Sequence, residues 1–312
     1  MNSGTPETLQ LIFPSFILAT VLFGVTLLQT YQYFLHYRQD RNMRKFVVIM
    51  ACVLDSIHFL CSVTMLYPPA STRIRYANKI PLWSLKIMGT AKTLLVVLIH
   101  SYHRFMIWTL ADKVAVKQKV SRLLKSFSAV TFFYAMVVAV AFIAYLGQTP
   151  NISNFPLGFQ YLIYIGYGWA AAIDCSIAAA MSILLLLSRP SSPEFGDKRS
   201  HKVTMYLIYY LIGSGLLTAA CSLLVMGLYW WNPSSVLYLA GEFLASRIYA
   251  NSILALFNSK SRMQQVLNSS LEFRVSTALF FGDNANSLLE RRGSQKALDS
   301  GELGKRSRRG TI

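Results

Sequence analysis

Seven apolar segments dominate this sequence, and each is long enough to cross a lipid bilayer as an α-helix. A bilayer core about 30 Å thick is spanned by roughly 20 residues at about 1.5 Å per residue. The segments cover residues 9–35, 46–66, 82–104, 126–147, 160–188, 203–231 and 235–257. Because backbone polar groups must be satisfied inside lipid, the pattern predicts an all-α, polytopic membrane bundle of seven transmembrane helices.

Charged residues are scarce and mostly basic. They make up 14% of the chain, against about 25% in a typical soluble domain. There are 30 Lys and Arg but only 13 Asp and Glu. A basic excess is also typical of nucleic-acid-binding proteins, where it lies in polar domains. Here the charges lie between apolar segments, so the expected partner is a lipid bilayer and not nucleic acid. The composition excludes a soluble enzyme, a disordered chain and a disulfide scaffold.

The basic residues also predict how the chain is oriented. Twenty-four of the 30 lie on one side of the predicted membrane, at residues 37–45, 104–125, 189–202 and in the tail from 258. The other side has only Arg73, Arg75 and Lys79. Because cytoplasmic loops are enriched in Lys and Arg, we expect the N-terminus outside and the C-terminus in the cytoplasm. The plasma membrane is the expected location, rather than an internal membrane.

This topology divides the chain into four parts. They are a short extracellular or lumenal N-terminus (1–8), the seven-helix domain (9–257), an amphipathic juxtamembrane helix (258–281) and a disordered, basic cytoplasmic tail (282–312). The third part has Met263, Val266, Leu267 and Leu271 on one helical face, a pattern typical of a helix on the inner leaflet. The fourth part is polar and rich in Ser and Gly.

Three short motifs outside the apolar segments predict modification. Asn151 begins an Asn-Ile-Ser sequon in a predicted outer loop, which makes it a candidate glycosylation site. Ser294 and Thr311 each follow an Arg-Arg-Gly sequence, as in substrates of basophilic kinases. Phosphorylation there would reduce the basic charge of the tail and weaken its attraction to anionic lipid.

Six Asp, Glu, Lys and Arg residues lie inside the predicted spans, not counting Arg104 at the last position of the third. They are Asp55, Lys86, Lys92, Asp174, Glu242 and Arg247. A charge in lipid costs of order 2.5–3.5 kcal/mol on insertion scales, so these residues mark a functional site or a structural network. At about 1.5 Å per residue from the outer helix ends, Lys92, Asp55, Arg247 and Asp174 lie at depths of about 15, 16, 18 and 21 Å. Glu242 lies higher, at about 10 Å, and Lys86 is close enough to the end to extend outward.

We therefore expect a polar core of Asp55, His58, Lys92, Asp174, Glu242 and Arg247. The depths favour interhelical pairs, with Asp55 or Asp174 opposite Lys92 or Arg247. Three interpretations remain open: fixed pairs that hold the bundle in register, a ligand pocket or switch, and an ion or proton path.

Histidines offer a further interpretation of the same region. His58 follows Asp55 at the i, i+3 spacing, and His100 and His103 have that spacing on the third segment. Membrane hydrolases can build a zinc site from such residues. The last three segments contain no histidine that would complete such a site, so ordinary interhelical hydrogen bonding is expected instead of a metal or enzymatic activity. No cofactor is expected either, since the seventh segment has no Lys for a retinal Schiff base.

Several short runs resemble a known family. They are Gly24–Tyr33 with Asp40–Arg41 and Lys45, the Leu-Asp-Ser-Ile-His sequence at 54–58, and the Tyr-Ala-Asn-Ser-Ile-Leu-Ala sequence at 249–255 with Asn258. Together they resemble a basidiomycete fungal seven-transmembrane family known only as a domain of unknown function, over roughly residues 15–260. The resemblance implies a fold and a lineage, and it implies no activity.

The sequence predicts a membrane protein that resembles receptors in topology. We expect a sensor of a small ligand bound within the helix bundle, with a cytoplasmic signalling partner at the basic loops. A transporter of small molecules or ions is the alternative, and a membrane zinc-dependent hydrolase is the third candidate.

Overall fold

The structure is a computed structural model that describes residues 6–67, 82–113, 118–149, 155–187, 198–233 and 236–267. Its regular elements within these ranges are all α-helices, which confirms the all-α prediction. They are α1 (Pro6–His36), α2 (Asn42–Leu66), α3 (Leu82–Lys113), α4 (Gln118–Gln148), α5 (Leu157–Leu187), α6 (Lys198–Trp231) and α7 (Tyr238–Leu267).

Among the described helices, six are long and apolar enough to span a membrane, and these are α1 to α6. The chain is therefore a multi-pass membrane protein in a lipid bilayer. Large apolar side chains on these helices are exposed, as expected for surfaces that contact lipid tails. Leu123, Val130 and Phe133 on α4, for example, are 71%, 69% and 73% exposed.

The last helix, α7, is enclosed by the rest of the bundle. It packs against α1, α2, α3 and α6. From Tyr238 to Ser259 none of its residues is exposed. Because its surface contacts protein, α7 can include Glu242 and Arg247 without exposing either charge to lipid. This position explains why α7 is less apolar than the other six helices.

The connection between α3 and α4 is shorter than the hydropathy pattern predicts. The third segment was expected to end at residue 104 and the fourth to begin at 126, whereas α3 continues to Lys113 and α4 starts at Gln118. The residues added to these helices include several Lys and Arg, which are good helix formers at a membrane surface. Polarity therefore marks where the helices leave the lipid and not where they end.

The juxtamembrane helix predicted for 258–281 does not begin as a separate element. Helix α7 continues without a break through Leu267. The rest of that predicted helix and the tail at 282–312 lie outside the described residues. The predicted modification sites Asn151, Ser294 and Thr311 also lie outside them.

Contacts between helix ends show that successive helices run in alternating directions. At one end, which we call the Leu82 end, Lys86 donates a hydrogen bond to the backbone oxygen of Gly147 (2.6 Å), which joins the start of α3 to the end of α4. At the opposite end, the Asn42 end, the Tyr37 hydroxyl donates to the backbone oxygen of Asn258 (3.3 Å). Lys86 therefore lies near a helix end.

Two buried apolar clusters fill the bundle, one toward each end. The cluster at the Asn42 end includes Leu95 and Met181, and the cluster at the Leu82 end includes Met88 and Ile163. Along α3, Lys92 lies between members of the two clusters, and along α5 Asp174 does the same. The polar residues therefore form a layer between two apolar regions.

Close packing of α5 against α6 fixes the position of Asp174. A Cβ atom added at Gly215 on α6 would lie 2.8 Å from the Cβ of Ala178 and 3.2 Å from the backbone oxygen of Asp174. Small residues at such contacts let membrane helices approach closely. Gly213, two residues earlier, has no atom within 4 Å of the corresponding position.

We expect Gly215→Val to lower the free energy of unfolding by about 1–3 kcal/mol, because neither Ala178 nor the α5 backbone can move away cheaply. Gly213→Val is the matched control on the same helix and should have a small effect. The melting temperatures of the purified variants in one detergent test this expectation. Equal melting temperatures for the two variants would show that the α5–α6 contact is not tight.

Candidate functional site

All six predicted polar-core residues are buried, and none faces lipid. Between 0% and 7% of each residue is exposed. They lie in three groups that we describe in turn: the arginine group (Asp55, His58, Arg247), the lysine group (Lys92, Glu242) and the aspartate group around Asp174.

The arginine group joins α2 to α7 through an ion pair. The Arg247 guanidinium forms a salt bridge with the Asp55 carboxylate. The same guanidinium donates a hydrogen bond to the backbone oxygen of Asp55 (2.6 Å), and Ser246 donates to the carboxylate (3.2 Å). Because Arg247 is 1% exposed and Asp55 fully buried, both charges depend on each other for solvation.

His58 and two aromatic rings complete the surroundings of Arg247. The Arg247 Nη2 lies 3.0 Å from the Nδ1 atom of His58. Since a guanidinium only donates, Nδ1 is the acceptor and the neutral ring has its proton on Nε2. The guanidinium carbon also lies 5.2 Å and 5.4 Å from the ring centres of Phe23 and Phe59, within range of cation–π attraction.

The lysine group joins α3 to α7 and also contacts α5. The Lys92 Nζ lies 2.8 Å from Glu242 Oε2. It also donates to the Tyr167 hydroxyl at 3.0 Å and lies 4.4 Å from the centre of that ring. The positive and negative charges of this group cancel.

This pairing differs from the predicted one. Depth arithmetic placed Lys92 beside an aspartate and Glu242 about 5 Å higher, yet Lys92 is paired with Glu242. The depth of a residue along its helix gives the position of its Cα atom and not of the end of its side chain. A helical side chain is inclined toward the N-terminus of its helix, and the long lysine stem extends far enough along α3 to reach the glutamate.

The aspartate group joins three helices around one carboxylate. Asp174 on α5 accepts a hydrogen bond from His100 Nε2 on α3 (3.0 Å) and another from the Tyr249 hydroxyl on α7. Because Tyr249 donates its proton to Asp174, it accepts from Ser222 on α6, 3.3 Å away. Asp174 was expected opposite Lys92 or Arg247, and its partners are instead a histidine and a tyrosine.

The three histidines considered for a metal site each have a different partner. His58 contacts Arg247, His100 contacts Asp174, and His103 lies 2.9 Å from the backbone oxygen of Ile99 on its own helix. Within the described residues, no three His, Cys, Asp or Glu side chains lie close enough together to hold a metal ion.

A cavity of about 140 Å³ lies between α3, α4, α5, α6 and α7. Lys92, Glu242 and Tyr167 line it, and so do His100 and Tyr249 of the aspartate group. The remaining wall is mainly apolar or aromatic. A mostly apolar cavity with a few polar groups is the usual form of a small-molecule site. The arginine group does not line this cavity.

A second, smaller cavity of about 30 Å³ lies on the other side of the aspartate group. Its wall includes His103, Asp174, Thr218 and Tyr249. Its wall is mainly apolar, and its volume and few polar groups suit an ordered water molecule. Tyr249 lines both cavities, so its side chain forms part of the partition between them.

Sequence reasoning did not assign a site role to the aromatic residues of the cavity. The sequence prediction includes Tyr249 only within the family-like run at 249–255, and it does not include Tyr167 or Trp169. Their signal was available, because aromatic residues with polar atoms normally lie at the ends of membrane helices. A tyrosine or tryptophan in the middle of a span needs a hydrogen-bonding partner and so indicates a polar interior.

Comparison with known proteins gives one partial match. A model described as a family of unknown function, DUF6534, matches residues 170–262, which are 93 of the 312 residues. The matched part includes Asp174, Glu242, Arg247 and Tyr249, so it covers part of all three polar groups. No curated protein matches the chain. From the middle of α5 to near the end of α7, the chain is similar to a family whose function is not known.

Proposed function

We propose that this membrane protein is a receptor-like sensor that binds a small ligand in the cavity beside Lys92 and Glu242. The observation that supports the proposal is the shared position of Tyr249, which borders this cavity and the smaller one. A ligand that displaces Tyr249 would change the hydrogen bonds of Asp174 and Ser222 at once, and so alter the packing of α5, α6 and α7.

The proposal includes seven spans, with α7 as the seventh, and a cytoplasmic C-terminus. The enclosed position of α7 supports the seventh span, and the distribution of Lys and Arg supports the orientation. A basidiomycete origin is proposed from the residues at 54–58 and 249–255.

In this topology Asn151 faces outward, so Asn151→Gln should remove a glycan and increase gel mobility. The tail has a second sequon, Asn-Ser-Ser at 268–270, and a glycan on Asn268 instead of Asn151 would contradict the proposed orientation.

A ligand-stabilisation screen on purified protein tests whether the cavity binds small molecules. A ligand at a hundred times its Kd raises stability by about 2.7 kcal/mol. We expect that stabilisation to be lost in Gly166→Leu, because Gly166 lines the cavity and a Cβ there meets only Val138 at 3.8 Å. The added side chain therefore fits the backbone and occupies ligand space.

Gly168→Leu is the control for this screen. Gly168 lies on the same helix, does not line the cavity, and has similar room, since a Cβ there meets Met226 at 3.9 Å. This variant should respond to ligand as the unmodified protein does. The screened set contains charged, polar and apolar compounds. If these compounds stabilise both variants equally, or stabilise neither variant, the cavity is not a ligand site.

A receptor and a transporter differ in what ligand binding causes. Ligand-dependent recruitment of a cytoplasmic protein to vesicles containing the chain would support a receptor. Ligand flux into proteoliposomes would support a transporter and contradict this proposal.

A further inference from the structure

Two tyrosine hydroxyls in the cavity have no hydrogen-bond partner among the described residues. They belong to Tyr229 at the end of α6 and Tyr238 at the start of α7, and both residues line the cavity. Tyr229 is 1% exposed and Tyr238 is 8% exposed. Their ring centres lie 5.6 Å apart, so the pair forms one feature at the Leu82 end of the cavity.

A third donor without a partner in the described part of the chain lies farther along the same wall. It is the indole N–H of Trp169 on α5. An indole nitrogen can only donate, and a tyrosine hydroxyl donates one proton. Buried donors are normally satisfied, because leaving one unpaired is costly. The residues of the cavity wall therefore include several buried donors without a partner in the described part of the chain, and an oxygen acceptor brought against them would pair with them.

The charges of the cavity wall favour an uncharged ligand. Lys92 and Glu242 lie 2.8 Å apart and neutralise each other. A charged ligand would have to leave water and compete with this pair, at a large desolvation cost. The walls around the pair are apolar, with Met88, Phe142 and Phe159 among them.

The cavity volume limits the size of the ligand. A dry apolar cavity of about 150 Å³ in another protein binds benzene. The present cavity, of about 140 Å³, is of similar size.

We infer that the cavity binds an uncharged, mainly apolar molecule of about one ring in size, through an oxygen acceptor held by Tyr229 and Tyr238. This inference rests on the proposed function, because it names the chemical class of ligand for the same cavity. The tyrosine pair provides the polar anchor, and the apolar wall contacts the remainder of the molecule.

Three one-ring probes test the inference: acetophenone, ethylbenzene and benzoate. They are titrated calorimetrically into the full chain in nanodiscs, with empty nanodiscs as the blank. Acetophenone has a neutral oxygen acceptor, ethylbenzene has none, and benzoate has a charge. We expect acetophenone to bind about tenfold more tightly than either of the other two, as one net hydrogen bond allows.

Tyr229→Phe and Tyr238→Phe remove one hydroxyl each and keep the ring. Each should weaken acetophenone binding by about threefold to tenfold and leave ethylbenzene unchanged. Tyr161→Phe is the control, because Tyr161 is 66% exposed and does not line the cavity. Melting temperatures of the three variants without probe show whether they fold equally well.

The outcomes separate this inference from the proposed function. Equal binding of acetophenone and ethylbenzene, or no effect of the two cavity variants, would overturn the tyrosine anchor. Tightest binding by benzoate would overturn the uncharged class. Binding of no probe would overturn the whole inference, while a different compound that stabilises Gly168→Leu but not Gly166→Leu would still support a ligand cavity.

Discussion

Arg247→Met should lower the free energy of unfolding by about 3–5 kcal/mol, because it leaves the Asp55 carboxylate buried without its partner. The substitution also removes the hydrogen bond to His58 and the contacts with two aromatic rings. Denaturant titration in mixed micelles, followed by circular dichroism, measures the difference.

Two further variants make this measurement specific. Arg122→Met removes an exposed arginine on α4 and should change stability little. Combining Arg247→Met with Asp55→Asn removes both charges, so the double variant should regain at least half of the lost stability. A double variant less stable than Arg247→Met alone would show that the arginine group is not held by its ion pair.

The second large effect is expected from reversing the charge of Lys92. Lys92→Glu places a carboxylate where the ammonium group lies 2.8 Å from Glu242. Two buried carboxylates this close repel each other, and we expect a loss of about 3–5 kcal/mol in unfolding free energy, as for other broken buried pairs. The same denaturant titration measures it.

Exchanging both residues restores opposite charges. Lys92→Glu combined with Glu242→Lys should regain more than half of the loss, although the cation–π contact of residue 92 with the Tyr167 ring is lost. Lys86→Glu is the control on the same helix, near its end, and should cost much less. If the double exchange is no more stable than Lys92→Glu, the two residues do not form a pair.

Much of the fold follows from the sequence because lipid imposes a length and an apolar composition on each helix. Segment 46–66, for example, corresponds to the helix Asn42–Leu66, with both ends within four residues. The end of α3 and the start of α4 lie farther from their predicted positions. Helical propensity determines where those helices end, and the hydropathy pattern reports only where lipid ends.

The polar core was predictable as a set of residues and not as a set of partners. Cost in lipid singles out Asp55 and Arg247 whatever their neighbours are. Which residue each one contacts depends on the rotation of its helix and on the length of its side chain. Lys92 shows this most clearly, since its partner Glu242 has a different predicted depth in the membrane. Uncharged residues such as Tyr238 carry no such cost, so the sequence predicts a ligand pocket as one interpretation without indicating which aromatic residues line it.

The enclosure of α7 has a consequence for biosynthesis. A segment that includes Glu242 and Arg247 partitions poorly into a bilayer by itself, because each charge opposes insertion at the translocon. Its partners are residues of α2 and α3, which the ribosome has already released. In the proposed seven-span topology, α7 therefore depends on the earlier helices for its own entry into the membrane. A glycosylation reporter fused after α7, with and without Asp55→Leu, measures how far insertion depends on the earlier helices.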